Sequence, residues 1–302
     1  MKLEPNASPA RRALFSLAGL SVGDALGEQF FGPPNQTLGR IEDRWLPQAP
    51  WRYTDDTEMA LSVVQVLLEL DRLDPDLLAG HFARRYDPAR GYGGGAHGLL
   101  QALQQGVSWH FAAPAMFGHT GSFGNGAAMR VAPLGAYLAQ RPMEQVAEQA
   151  RLSAIVTHSH REGTAGAVAV AVAAAVAWDQ AERGELDGAA LFDAVLQHTP
   201  TSQTREEIRR ASTLDSSTGE EAARLLGTGQ RVSAQDTVPF VIWCVARSLG
   251  GPFEEAFWTT VRGLGDRDTT CAMVGGVVAL SCREVPDAWV AAREPLPDDF
   301  TF

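Results

Sequence analysis

An all-α architecture, one compact multi-helix domain, is what this sequence predicts, and three observations carry the prediction. Apolar residues recur three and four positions apart through most of the chain. No segment sustains the period-two alternation between tight turns that marks hairpins. Clusters of Gly, Pro and Asp interrupt the apolar pattern at helix-length intervals.

Taken in order, the periodicity predicts helices across Leu14 to Leu26, Met59 to Leu73, Met129 to Leu138, Val238 to Leu249 and Cys271 to Cys282. The breaks fall at Asp74-Pro75-Asp76, at Gly118 to Gly126, at Gly250-Gly251-Pro252 and at Gly263 to Asp266, often with Asp, Ser or Thr where an N-cap would stand. The Val-rich stretch 166–176 would pass for a strand on propensity alone, but its length and alanine content favour a helix. The apolar run from Gly163 to Trp178 is short and weakly hydrophobic for a membrane span, so it reads as a buried helix whose small side chains admit close neighbours. No linker and no internal repeat is visible, so 1–302 reads as a single domain with residues 1–9 as a flexible lead.

With 302 residues, 45% of them hydrophobic and 20% charged, the chain can bury a large core without disulfide or metal staples. A net charge of −11 argues against a nucleic-acid or anionic-membrane surface, because phosphate binding is driven by Lys and Arg. Small molecules or protein side chains are the expected partners. Cys244, Cys271 and Cys282 match neither a zinc set nor a disulfide framework, so they read as buried thiols of a reducing compartment, by default the cytoplasm. The segment from Met1 to Arg12 carries no apolar core followed by a cleavage site and is not read as a signal peptide.

The chemistry concentrates in two acidic clusters near opposite ends of the chain, Tyr53-Thr54-Asp55-Asp56-Thr57-Glu58 and Gly265-Asp266-Arg267-Asp268-Thr269-Thr270. Closely spaced carboxylates with Thr hydroxyls form a set of hard oxygen donors suited to Mg²⁺, Mn²⁺ or Ca²⁺. Asp55 and Asp56 stand just before a helix, where their side chains can diverge around an ion. Asp266 and Asp268, read as an extended stretch, would point to the same side. Together the clusters hold enough donors for two ions sharing ligands. For either cluster alone, helix capping is the competing account, since Asp and Thr are favoured at N-caps.

Three further segments stand out. Gly121-Ser122-Phe123-Gly124-Asn125-Gly126-Ala127-Ala128-Met129-Arg130 is a glycine-rich turn entering a helix, where converging backbone N–H groups would receive a phosphate and Phe123 would stack on a base; an ordinary flexible loop is the alternative. In Thr157-His158-Ser159-His160 the histidine spacing is not that of a zinc helix, so His158 reads as a substrate contact and His160 as a cap. Gly23-Asp24-Ala25-Leu26-Gly27 places two glycines inside an apolar helix, at roughly 1 kcal/mol each relative to Ala, which predicts a close approach by another element.

These five motifs, GDALG at 23–27, YTDDTEMA at 53–60, GSFGNGAAMR at 121–130, THSH at 157–160 and GDRDTT at 265–270, resemble in order those of the ADP-ribosylglycohydrolase family. The resemblance spans nearly the whole chain. It implies an all-α domain holding two divalent cations, Mg²⁺ or Mn²⁺, and hydrolysis of the bond joining ADP-ribose to an acceptor, most often a protein arginine or serine side chain. By motif it implies metal ligation by Thr54, Asp55, Asp56, Asp266, Asp268 and Thr269. It implies substrate binding by Gly121, Ser122, Phe123, Gly124, Asn125, Gly126, Met129 and His158. Asp55 or Asp56 would take a proton from the attacking water.

One position departs from the pattern. Where similar family members carry a Glu four residues after the last glycine of GDALG, this chain has Phe31, and the nearby acid is Glu28. Glu28 is assigned as the replacement catalytic acid, with an exposed surface acid as its competing account. The departure leaves a second reading open, a non-catalytic ADP-ribose binder or structural protein that keeps the fold. Segments 87–120 and 200–236 are expected to shape the acceptor side of the pocket.

Overall fold

Small side chains decide how the helices of this protein meet. The computed structural model describes residues 1–215 and 218–302; Ser216 and Ser217, inside the 200–236 segment, lie outside the described residues. The helices run α1 Pro9–Gly27, α2 Pro34–Glu42, α3 Asp55–Leu70, α4 Pro75–Arg85, α5 Gly94–Gln104, α6 Trp109–His119, α7 Ala132–Leu138 and α8 Met143–Ile155. They continue with α9 Arg161–Arg183, α10 Gly188–His198, α11 Gln203–Ser212, α12 Gly219–Leu226, α13 Ala234–Ser248, α14 Phe253–Val261, α15 Arg267–Cys282 and α16 Asp287–Ala292. Among the described residues there are isolated β-bridges but no strand.

The centre is α9, buried along Gly163–Trp178 and packed against α7, α8, α10, α13 and α15. It is long and apolar enough to cross a membrane by length and composition, yet the apolar window lies inside the protein. Its alanines and valines let those neighbours approach, and the 166–176 stretch is helix throughout. The closest pair is α1 with α15. Along α1, Gly19, Gly23 and Gly27 lie one turn apart on a single face, and each meets backbone: the carbonyls of Gly275, Cys271 and Arg267 respectively. A Cβ on Gly27 would stand 2.6 Å from the Arg267 oxygen. The close approach expected at GDALG is thus made by α15, and it brings Asp24 to the start of α15.

Several expectations need correction. The lead at residues 1–9 is held, not loose: Leu3 N–H donates to the Arg283 carbonyl at 3.0 Å, Val285 N–H donates to the Met1 carbonyl at 3.0 Å, and Leu3 and Ala7 are buried. The helix expected from Met129 begins only at Ala132, because residues 125–127 form a 3₁₀ turn. Cys244 and Cys271 are buried, but Cys282 is only half-buried.

A short parallel contact between Trp51 and Arg293 ties the segment before α3 to the C-terminal segment. Arg90 reinforces it, donating to the Tyr53 carbonyl at 3.0 Å and, through both terminal nitrogens, to Glu294 at 2.8 and 3.0 Å. Its guanidinium also lies 3.9 Å from the centre of the Tyr53 ring. This clamp sets the backbone that delivers Thr54 and Asp55 into the interior.

Candidate active site

Both acidic clusters sit at helix N-termini, and the helices carry them to one place. Thr54 is the N-cap residue of α3, with Asp55 and Asp56 in its first turn; Asp266 is the N-cap residue of α15, with Asp268 in its first turn. The second cluster is therefore not the extended stretch expected: Asp266 alone is non-helical, at φ −87° and ψ 78°, and the helix has begun by Arg267. The i, i+2 argument from strands does not apply there. What brings the two acids together is their placement around one helix start, where exposed N–H groups favour negative charge.

The clusters touch through hydroxyls. Thr54 Oγ1 lies 2.7 Å from Asp24 Oδ1 and 3.0 Å from Asp56 Oδ2, and Thr269 Oγ1 donates to Asp56 Oδ2 at 3.5 Å. A hydroxyl has one proton, so Thr54 can donate to only one of its two carboxyl neighbours unless the other is itself protonated. Asp24 accepts the N–H groups of Thr54 and Thr57, and the Thr57 hydroxyl, and so fastens the start of α3 to α1. Asn125 carries Asp266 in the same way, donating its amide to Asp266 Oδ2 at 2.7 Å and to Thr237 Oγ1 at 3.1 Å.

Carboxylates packed this densely resist ionisation. Burial, then Asp24 and Asp268, push the Asp55 carboxyl up to about 8. Burial, then Asp268, raise Asp266 to about 8. Burial chiefly lifts Asp24 to about 7, against the pull of its Thr57 hydrogen bond. Asp56 and Asp268 are raised as well, first by burial. Asp56 Oδ1 is buried and has no hydrogen-bond partner among the described residues. An orphaned carboxyl oxygen among mutually repelling acids is costly in a protein interior, and a divalent cation removes that cost.

The donors are hard oxygens throughout, which fits Mg²⁺ or Mn²⁺ better than a softer ion. No three His, Cys, Asp or Glu side chains among the described residues already form a finished cage. We read the residues as fitting the ions.

Beside the acids opens a cavity of about 480 Å³. Asp55, Asp266, Asp268 and Thr269 line it together with Ser122, Phe123, Gly124, Asn125, Gly126 and Met129, and His158 lines it beside Gly124 and Gly126. Thr54 and Asp56 lie behind this wall. Gly121 does not line the cavity: at φ +74° it makes the turn, tight against Ser159. The glycine loop also offers fewer N–H groups than its sequence suggests. Gly124 N–H donates to Ser122 Oγ at 3.2 Å and Asn125 N–H to the Val232 carbonyl at 3.3 Å. Asn125, assigned from sequence to the substrate, spends its side chain on Asp266.

His160 caps α9, its Nδ1 accepting from the Glu162 N–H at 3.2 Å. Both segments expected to shape the pocket reach it, through Gly91 to Leu100 with Met116 and Phe117, and through Arg231 and Val232. Phe117 lies 5.8 Å from the Phe123 ring, forming an apolar flank at the mouth.

Glu28 begins a 3₁₀ turn immediately after α1; it is exposed and outside the residues that line the cavity, as the surface-acid account expects. Its carboxyl is pushed up to about 7 by burial, then by Asp268 and Asp24, so it feels the acidic centre. Phe31 is 44% exposed, and the Arg267 guanidinium lies 4.9 Å from its ring centre. Sequence reasoning missed Asp24 as part of the centre. A carboxylate between two glycines of an apolar helix was the available signal. It also missed Arg90, Arg130 and Thr157, which act through partners distant in sequence: Tyr53 and Glu294 for Arg90, and one another for Arg130 and Thr157.

The fold and the site define a class of protein: an all-α enzyme whose acidic, oxygen-rich centre opens on a glycine-lined cavity. The sequence profile described as ADP-ribosylglycohydrolase matches residues 5–301. The chain belongs to the ADP-ribosylglycohydrolase family and is by class an ADP-ribosyl-acceptor hydrolase. It is 33% identical over 274 residues to ADP-ribosylhydrolase ARH3 of Homo sapiens, covering 80% of this chain and 74% of that protein. It is 30% identical to an uncharacterized protein of Archaeoglobus fulgidus, with coverage of 91% and 88%. A solved structure titled ADP-ribosylglycohydrolase-related protein complex shares the fold, with a TM-score of 0.64 at 24% identity over 95% of this chain and 93% of that one.

Proposed function

We propose that this protein is a divalent-metal-dependent hydrolase that cleaves the glycosidic bond between ADP-ribose and an acceptor, most readily a protein side chain, with arginine first and serine second. The observation that carries the reading is the partnerless buried oxygen of Asp56 within a cluster of carboxyls contributed by α1, α3 and α15. Thr54, Asp55, Asp56, Asp266, Asp268 and Thr269 would hold two ions, Mg²⁺ or Mn²⁺. Bound there, the ions would supply Lewis acidity toward ribose hydroxyls and water.

The chain's own residues account for the rest. The glycine-lined wall and His158 would orient the diphosphate and ribose, fixing the anomeric carbon beside the acids. The carboxylates stabilise positive charge developing at that carbon as its bond to the acceptor breaks. Asp55 or Asp56 takes the proton of the water whose oxygen forms the new bond, and the departing acceptor leaves with the electron pair of the old one. Glu28, raised toward neutrality by burial and by the charges of Asp268 and Asp24, would return a proton to the departing group. The preference for arginine rests on charge: an acidic wall suits a cationic guanidinium. The thiols of Cys244, Cys271 and Cys282 support a reducing, cytoplasmic setting.

The test is a linkage panel. Arginine-linked and serine-linked ADP-ribosyl substrates, incubated with chelator, Mg²⁺ or Mn²⁺, should release ADP-ribose only with metal and faster from arginine. Measurable ADP-ribose binding with no release from any linkage would replace this reading with that of a binder, as Phe31 would then explain. Turnover by Glu28→Gln at the wild-type rate would remove Glu28 from the chemistry.

A further inference from the structure

A buried arginine with no carboxylate partner among the described residues stands behind the cavity-lining Gly126. Arg130 Nη1 donates to the Gly126 carbonyl at 3.1 Å, and Nη2 donates to the Ser153 carbonyl and the Thr157 hydroxyl, both at 2.9 Å. The face of its guanidinium rests 4.6 Å from the Phe82 ring centre. Thr157 Oγ1 in turn lies 2.7 Å from His158 Nδ1.

Counting donors fixes the first step of this chain and favours one direction for the second. Guanidinium nitrogens only donate, so Thr157 Oγ1 accepts from Arg130. The hydroxyl has one proton of its own, and His158 Nδ1 is the only acceptor in its reach among the described residues. Donation from that hydroxyl to Nδ1 satisfies both atoms within the protein and places the ring proton on Nε2. That edge of the ring lies against Gly124 and Gly126, where a Cβ on either would stand 3.1 Å from Nε2. Both glycines line the cavity, as does His158, and no protein acceptor meets Nε2 among the described residues.

We propose that Arg130 is a positioning residue: through Thr157 it holds His158 in the Nε2–H tautomer, so that the imidazole presents a neutral N–H donor to an acceptor oxygen of the bound ligand. Burial, then the charge of Arg130, hold the His158 ring down to about 3, so it stays uncharged across the working range. The histidine thus recognises an oxygen by donation, and not as a cation. Arg130 also binds the Gly126 carbonyl, so one side chain sets both the histidine and the loop facing it. The relay stands on these contacts alone; only the ligand oxygen rests on the ADP-ribose reading above.

The test uses the full chain labelled with ¹⁵N in histidine, and long-range ¹H–¹⁵N correlation of the ring nitrogens. Wild type should show His158 with Nε2 protonated and Nδ1 bare, unchanged on acidification. Thr157→Ser keeps the hydroxyl and should keep that pattern. Thr157→Val removes it, and the Nδ1–H form should appear alongside, with ADP-ribose affinity by calorimetry weakened about tenfold. A protonated Nδ1 in wild type, or a Thr157→Val spectrum identical to wild type, would overturn the relay. An altered tautomer with unaltered ADP-ribose affinity would overturn the ligand contact. Absence of ADP-ribose binding to wild type would sink the proposed function, while the tautomer would still decide the relay. Arg130→Lys, which keeps a donor to Thr157, should retain the wild-type pattern, and the Thr157 pair serves where Arg130 variants do not fold.

Discussion

Gly23 of α1 lies so close to Cys271 of α15 that a Cβ built on the glycine would fall well inside 3.0 Å of the cysteine's carbonyl oxygen. The neighbour is backbone, so it cannot swing aside. This contact, with those of Gly19 and Gly27 on the same face, lets Asp24, the next residue, lie within the influence of Asp268 at the head of α15.

Gly23→Ala should therefore destabilise the protein by about 1–3 kcal/mol, the cost of overfilling a packed interior. Gly39, in α2, has nothing within 4 Å of its imagined Cβ. Gly39→Ala should be neutral or stabilising by about 0.5–1 kcal/mol. Thermal or urea unfolding of both variants checks the pair. Equal effects would mean that helix propensity, and not close approach, decides these positions.

Asp268 is half-buried, and its charge bears on Asp24, Asp55, Asp56, Asp266 and Glu28. Asp268→Asn should abolish turnover and weaken Mn²⁺ binding by tenfold or more, on the order of one lost charged ligand. Helical content by circular dichroism should stay unchanged. A wild-type rate in this variant would take Asp268 out of the site.

Stability should depend on pH in a direction unusual for aspartates. Folding raises Asp24 from 3.8 to about 7, and Asp55 and Asp266 from 3.8 to about 8. A carboxyl raised on folding contributes fully below its unfolded value and loses that contribution as pH climbs through the folded one. In chelator, the melting temperature should fall between about pH 5 and 8. Adding Mn²⁺ should raise it, most at the alkaline end, because cations displace the protons there. Scanning fluorimetry with and without metal reads both effects. Parallel profiles would show that the acids do not bind the ion.

Much of this was legible in the sequence. Acids and threonines directly before apolar repeats are N-cap signals, so Asp55 and Asp56 could be placed at a helix start from local chemistry alone. What local pattern cannot carry is the identity of the facing helix. Asp24 reads as one charge in an apolar run until α15 is laid against it. Arg130 and Thr157 read as ordinary motif members until residues far apart in sequence form hydrogen bonds. The extended reading of Asp266 to Asp268 failed because a short stretch before a helix carries no period long enough to separate strand from first turn. The lead at residues 1–9 was misread because its pairing partners, residues 283–285, lie near the opposite end of the chain.

The central claim, that α3 and α15 deliver their acids to a shared pair of divalent cations, is tested most directly by anomalous diffraction from crystals grown with Mn²⁺. Two manganese peaks enclosed by Asp55, Asp56, Asp266 and Asp268 are expected. A map with no peak between those side chains, at a concentration that supports turnover, would contradict it.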